Sequence, residues 1–196
     1  MQAFARPPET VTVGGRSYPI CTDFRAGVAL ETAVLSGEVD LAQLLRLYYP
    51  CGLPDDLDGA VNAMLWFYRC GAADNEDGTP RSHGTTVRAY DFEQDADAIC
   101  AAFRAAYGID LETERLHWWT FRRLLRGLPE DCAFMRRVMI RTADLSGMGA
   151  EQRRAMRKLK DQYALRPGGR RQTLAERNAA MLAYAAKRLD DAARKR

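Results

Sequence analysis

The chain's densest group of chemistry-bearing residues is an acidic run, Asp91-x-Glu93-x-Asp95-x-Asp97, and alternating carboxylates of this kind occur in calcium-binding loops. An EF-hand loop also needs a glycine at its sixth position and a glutamate at its twelfth. Neither requirement is met, whichever acid is taken as first. Carboxylates are also favoured at the start of a helix, where N–H groups lack partners and the helix dipole is positive. We therefore interpret the run as a helix start and expect no metal site.

The other residues with catalytic or ligating potential are scattered. His117 precedes two tryptophans without a Ser, Cys or Asp at a catalytic spacing, and we interpret it as a hydrogen-bonded histidine near the core. His83 lies in a polar stretch and is expected to be solvated. No C-x-x-C pair or zinc spacing occurs, so reduced, buried thiols are expected at Cys21, Cys51, Cys70, Cys100 and Cys132. Because no nucleophile elbow, phosphate loop or dinucleotide fingerprint is present, the sequence predicts a protein that is not an enzyme and needs no cofactor.

Two predicted helices between Tyr90 and Leu128 would position the acidic run and His117. The first carries an apolar stripe at helical spacing, formed by Phe92, Ala96, Ile99, Phe103 and Tyr107. Gly108 is expected to end this helix, and Asp110 to cap the second. The apolar face of the second helix consists of Trp118, Phe121, Leu124, Leu125 and Leu128. We predict that this helical pair is the core, with Phe103, Trp118, Phe121 and Leu125 nearly inaccessible to solvent.

The rest of the chain predicts further helices and one hairpin. Residues 10–20 alternate apolar and polar residues around Gly14-Gly15, which is typical of a β-hairpin. Helices are expected after Asp23, after Asp40 and after the acidic group at 55–58, with a long loop at 72–89 and further helices at 130–141, 150–164 and beyond Thr173. The predicted fold is mainly α, a single-domain helical bundle with one short N-terminal β-hairpin. Its domains are a flexible segment at 1–9, a helical domain at 10–165, and a linker with a basic helix at 166–196.

Charge is unevenly distributed along the sequence. Residues 151–196 contain 14 Lys and Arg against 5 Asp and Glu, whereas residues 1–150 contain 15 against 21. The basic end is expected to meet an acidic partner, and head-to-tail self-association is the alternative. No apolar run is long enough to span a membrane and no secretory signal is apparent, so we expect a cytosolic protein, in whatever cell makes it, that binds neither membrane nor small-molecule substrate.

Two groups of residues are candidates for partner binding. Trp119, beside Arg115, Arg122 and Arg123, is interpreted first as a ring covered by arginine stems or by another helix of the same chain. The rival interpretation is an interface anchor, because an exposed tryptophan flanked by arginines is typical of binding hot spots, and these four residues are therefore included as candidates. The second group lies on the helix at 150–164, whose apolar strip is narrow, and comprises Arg153, Arg157 and Lys160. Nucleic acid is not an expected partner, because no aromatic residues alternate with the basic ones.

Four motifs resemble one known family, the bacteriophage gp-fifteen family of long-tailed phages and prophages of Gram-positive bacteria. They are GG-R-x-YPI-x-TDFR at 14–25, WFYRCG at 66–71, DFE-x-DAD-x-I-x-AAF-x-x-x-YGIDL at 91–111 and LHWW-x-FR-x-L-x-x-GLP at 116–129. The resemblance extends from about residue 10 to about residue 165.

What the resemblance implies is a role in tail morphogenesis. Genes of this family lie between those of the tail-tube and tape-measure proteins, where tail-assembly chaperones are commonly encoded. The expected function is such a chaperone, which binds the tape-measure protein, the tail-tube protein or both. The alternatives are a structural component retained in the virion tail and a nucleic-acid-binding accessory protein.

Overall fold

A computed structural model describes residues 5–37, 39–72 and 89–166. Most of the predicted loop at 72–89, with His83, and the predicted helix beyond Thr173 lie outside these residues. The described residues form β1 (Thr10–Val13), β2 (Arg16–Pro19), α1 (Phe24–Ser36), α2 (Leu41–Tyr48), α3 (Leu57–Tyr68), α4 (Ala96–Tyr107), α5 (Trp118–Arg126), α6 (Ala133–Thr142) and α7 (Ala150–Gln162). The fold is therefore mainly α with one N-terminal hairpin, as predicted.

The chain's contacts divide the described residues into two compact units. Unit 1 comprises residues 5–37, 39–72 and 116–121, and unit 2 comprises residues 89–115 and 122–166. Unit 1 thus contains the hairpin, α1 to α3 and the start of α5, while unit 2 contains α4, the rest of α5, α6 and α7. The predicted domain boundaries stay a prediction.

The hairpin of unit 1 follows its sequence closely. Gly14 and Gly15 join the strands with φ of 54° and 78°, the positive values that a two-residue type I′ turn requires. The strands are antiparallel, and Pro19 lies at the end of β2, opposite Thr10. Val11 and Val13 of β1 are buried, and β1 packs against α3. The hairpin is therefore stabilised by a helix, since two strands alone are marginal in water.

Aspartates begin the three helices of unit 1 at the predicted positions. The side chain of Asp23 accepts a hydrogen bond from Arg25 N at 2.9 Å, that of Asp40 from Gln43 N at 3.1 Å, and that of Asp56 from Gly59 N at 2.9 Å. Each bond satisfies an N–H group that has no partner within the helix. The predicted helix starts at these residues are confirmed.

The predicted start of α5 is wrong. Asp110 does not cap α5; its side chain accepts from Glu112 N at 3.0 Å in a local turn, and α5 begins only at Trp118. The reason is a tertiary contact. Trp118 N donates to Thr22 O at 2.7 Å, and Phe24 N donates to Leu116 O at 2.9 Å, so residues 116–118 are extended beside the start of α1.

This backbone pairing places Trp118 against α1. A Cβ added at Gly27 would lie 2.3 Å from the Trp118 ring, so only glycine allows the helix and the indole to approach so closely. The Phe24 and Phe121 rings stack beside them, with centroids 4.6 Å apart. Trp118 is 0% exposed, and the predicted burial of Phe103, Phe121 and Leu125 is likewise confirmed.

In unit 2, α6 and α7 start and end close to the predicted positions. α4 begins only at Ala96, so Phe92 and the first carboxylates of the acidic run precede the helix, and the side chain of Asp95 at its N-cap makes no capping hydrogen bond. α4 ends at Tyr107 because Gly108 adopts a φ of 69°, the left-handed conformation of a helix C-cap. α4 packs against α6, and α6 against α7. In the part of the chain that the structure describes, no helix combines the length and the apolar character that crossing a membrane requires.

Candidate partner-binding surface

The two neighbouring tryptophans of α5 lie at the C-terminal end of α3. Trp118 Nε1 donates to Tyr68 O at 2.7 Å, and Trp119 Nε1 donates to Phe67 O at 2.8 Å. Carbonyls in the last turn of a helix have no partner within it. Two successive indole N–H groups therefore cap two successive carbonyls, which holds both rings inside unit 1.

Trp119 does not have the exposure of an interface anchor, because its side chain is only 5% exposed. Its ring is covered by aromatic residues of α3: the centroids of Trp66 and Phe67 lie 5.7 and 5.9 Å away. Gly71 packs against the same ring, and a Cβ there would be 3.0 Å from it. The first interpretation, a ring covered by another helix of the same chain, is therefore the correct one. The more exposed tryptophan is Trp66, at 38%.

The three arginines grouped with Trp119 belong to unit 2. Arg115 and Arg123 are exposed, so both are accessible to a partner. Arg122 is half-buried, and one of its terminal nitrogens donates to the Tyr90 hydroxyl at 3.2 Å. A partner-binding role for these arginines stays a prediction.

The residues predicted on α7 divide between an inner and an outer face. Arg153 and Lys160 are half-buried and bind unit 2 itself, since Arg153 donates to Met148 O at 2.9 Å and Lys160 Nζ donates to Arg141 O at 3.1 Å. Arg157 is exposed, as are Arg154 and Lys158. These three residues are spaced three and four apart, so they lie on one side of the helix. We call Arg154, Arg157 and Lys158 the basic face of α7.

Sequence reasoning missed the buried polar group of unit 2. Asp95 is 0% exposed, and its two carboxylate oxygens accept from Arg141 at 2.5 and 2.9 Å. Arg137 adds a third contact at 3.2 Å. One signal in the sequence indicates this burial: Asp95 follows Phe92 by three residues and precedes Ile99 by four, so it lies on the apolar stripe.

Acidic side chains surround Cys100 of α4, and they come from α4 and from the turn that follows it. Burial raises the pKa of the Cys100 thiol, and the nearby carboxylates of Glu112, Asp97 and Asp110 raise it further. The pKa of Asp110 is lowered, first by the hydrogen bond that its carboxylate accepts from the backbone of Glu112. Among the described residues, no three His, Cys, Asp or Glu side chains are grouped so that they could hold a metal ion.

None of the five cysteines is fully buried, and Cys51 is exposed, so the expectation of buried thiols is wrong.

A comparison with protein families matches residues 6–165 to the family described as Bacteriophage Gp15 protein. The chain belongs to the Gp15 family. Comparisons with curated proteins and with solved structures found no match. Membership of the Gp15 family indicates a phage structural or morphogenesis protein.

Three of the motifs that carry the Gp15 resemblance meet in unit 1. Thr22 of the first motif accepts from the backbone of Trp118, and Tyr68 of the second accepts from the indole of Trp118. His117, in the last motif, has its Nδ1 3.0 Å from the backbone nitrogen of Trp119, from which it accepts. These Gp15 motif residues build the unit, and the exposed basic face of α7 lies outside all four motifs.

Proposed function

We propose that this Gp15 protein is a tail-assembly chaperone that binds the tape-measure protein, the tail-tube protein or both, and that it acts without catalysis. Family membership supports a phage morphogenesis role. The observation that carries the binding proposal is that α7 contributes no buried residue while presenting Arg154, Arg157 and Lys158 to solvent.

A surface of this kind suits association with an acidic protein. Exposed charges of one sign speed and orient the encounter with a complementary surface more than they tighten the complex. The apolar faces of a long helical protein need protection before assembly encloses them, and a helix-binding chaperone provides it. In this proposal the basic face of α7 makes the first contact, and the helices of the protein form the scaffold that holds it.

Affinity purification from phage-producing cells tests this function. A tagged full-length protein is expected to recover the tape-measure protein or the tail-tube protein, and mass spectrometry of purified phage particles is expected to find none of the tagged protein. Abundant protein in mature tails would instead support a structural component of the virion. Recovery of neither tail protein would overturn the proposal.

A further inference from the structure

α7 is attached to unit 2 with little apolar burial. None of its residues is fully buried, and Leu159, its largest aliphatic side chain, is 37% exposed. Met156 and Tyr163, on the less exposed side of the segment, are only half-buried. Because the hydrophobic contribution scales with the apolar area removed from water, separating α7 from α6 exposes little that was hidden.

Polar contacts hold the C-terminal end of α7 instead. Arg141 Nε donates to Tyr163 O at 2.7 Å, while the terminal nitrogens of the same guanidinium bind Asp95. If α7 separates from α6, Arg141 loses its hydrogen bond to Tyr163 O but keeps its bonds to the carboxylate of Asp95. A buried charge left without a partner is the usual obstacle to opening a buried ion pair, and detachment of α7 leaves no such charge.

Gln94 forms the second attachment. Its side-chain Nε2 donates to Ala164 O at 3.0 Å, and its Oε1 accepts from Arg166 N at 2.9 Å. The side-chain amide of Gln94 thus binds backbone groups of two residues, Ala164 and Arg166, in the way that a neighbouring β-strand would. Gln94 is itself fixed, because its backbone N–H donates to Asp91 Oδ1 at 2.8 Å.

The attached position also contains an unfavourable feature. Arg153 Nε is buried, and it has no hydrogen-bond acceptor among the residues that the structure describes. A buried donor without an acceptor loses its hydration and gains nothing in return. Any opening that lets water reach this nitrogen removes that cost.

We propose that α7 and residues 163–166 form a detachable segment, here called the α7 arm, with Gln94 and Arg141 as the clasp that holds it. The arm opens as one unit while α4 and α6 stay folded. Opening exposes the inner side of α7, including Met156 and Tyr163, beside the basic face. The proposal concerns the free protein and stands independently of the function in tail assembly.

Hydrogen exchange of the free full-length protein, followed by mass spectrometry, tests this opening. Peptides from residues 150–166 are expected to exchange at least about tenfold faster than peptides from α4 and α6, because the arm opens without global unfolding. Gln94→Ala removes both amide hydrogen bonds and is expected to raise exchange of the arm about tenfold further. Gln94→Glu keeps the acceptor for Arg166 N and is expected to have a smaller effect.

The matched control is Gln43→Ala, which changes an exposed glutamine of α2 and is expected to leave exchange of the arm unchanged. Equal exchange rates for the arm, α4 and α6 in the unmodified protein would overturn the proposal. So would a Gln94→Ala variant in which the arm exchanges as before, or in which α4 and α6 accelerate as much as the arm.

Discussion

Arg141 of α6 binds both carboxylate oxygens of Asp95, which precedes α4, in a pair whose side chains are 5% and 0% exposed. The same guanidinium reaches two backbone carbonyls, Tyr163 O at 2.7 Å and Ala89 O at 3.2 Å. One buried cation thus ties the start of α4 to α6 and to the end of α7. Such a pair does not necessarily stabilise a protein more than apolar residues would, but removing one partner leaves the other charge buried alone.

Asp95→Asn is therefore expected to destabilise the protein by about 3–5 kcal/mol, since Arg141 loses its counter-charge in a buried position. Urea denaturation followed by circular dichroism measures the change. Asp97→Asn, on an exposed residue two positions away, is the control and should cost under about 1 kcal/mol, the scale of a charge near a helix N-terminus. Equal stabilities for the two variants would show that the ion pair contributes nothing.

Tyr48 and Tyr49 are neighbours in sequence, and both are buried, with opposite hydrogen-bonding states. The Tyr49 hydroxyl donates to Ala60 O at 2.7 Å, whereas the Tyr48 hydroxyl has no partner among the described residues. Tyr49→Phe should cost about 1 kcal/mol, and Tyr48→Phe should be neutral or stabilise by up to about 1 kcal/mol. Thermal melts of the two variants check this, and a more destabilising Tyr48→Phe would contradict it.

The same pair predicts a loss of stability in alkali. Burial raises the pKa of Tyr49 from 10.0 to about 12 and also raises that of Tyr48. The folded protein therefore retains these protons at pH values where the unfolded chain releases them. The stabilisation is complete below about pH 10 and falls as pH rises towards 12. Unfolding at pH 8, 10 and 11 measures the slope, which Tyr49→Phe should reduce; an unchanged slope in that variant would contradict the assignment.

Trp119→Ala is expected to destabilise the protein by about 3–5 kcal/mol, because it removes a buried ring and the donor to Phe67 O. Trp66→Ala is the matched comparison. Its ring is 38% exposed, and its loss should cost about 1–2 kcal/mol. Chemical denaturation of both variants distinguishes the two positions. If the Trp119→Ala variant were as stable as the Trp66→Ala variant, the buried position of Trp119 would be contradicted, and Trp119 would again be a candidate for an exposed interface residue.

Local chemistry was sufficient to predict most elements of this fold. Asp23, Asp40 and Asp56 each cap a helix through a contact two or three residues away, and Gly14-Gly15 sets its own turn. Such features depend on neighbouring residues alone, so the sequence displays them directly.

The errors share a different cause, which is contact between distant parts of the chain. α5 begins late because residues 116–118 pair with residues 22–24, and Trp119 is buried because α3, about 50 residues earlier, covers it. Asp95 binds Arg141 at a separation of 46 residues. Periodicity shows which side of a helix is apolar, but it does not show which distant segment will cover that side.

The most direct test of the proposed function is the affinity of the purified full-length protein for the tape-measure protein, compared with that of the triple variant Arg154→Glu, Arg157→Glu and Lys158→Glu. A second triple variant, Arg46→Glu, Arg126→Glu and Arg136→Glu, changes the net charge equally at exposed sites on α2, α5 and α6 and serves as the control. Loss of the basic face is expected to raise the Kd by about tenfold or more, chiefly through slower association. The control variant is expected to raise the Kd much less. Equal affinities for the unmodified protein and the α7 variant would contradict the account.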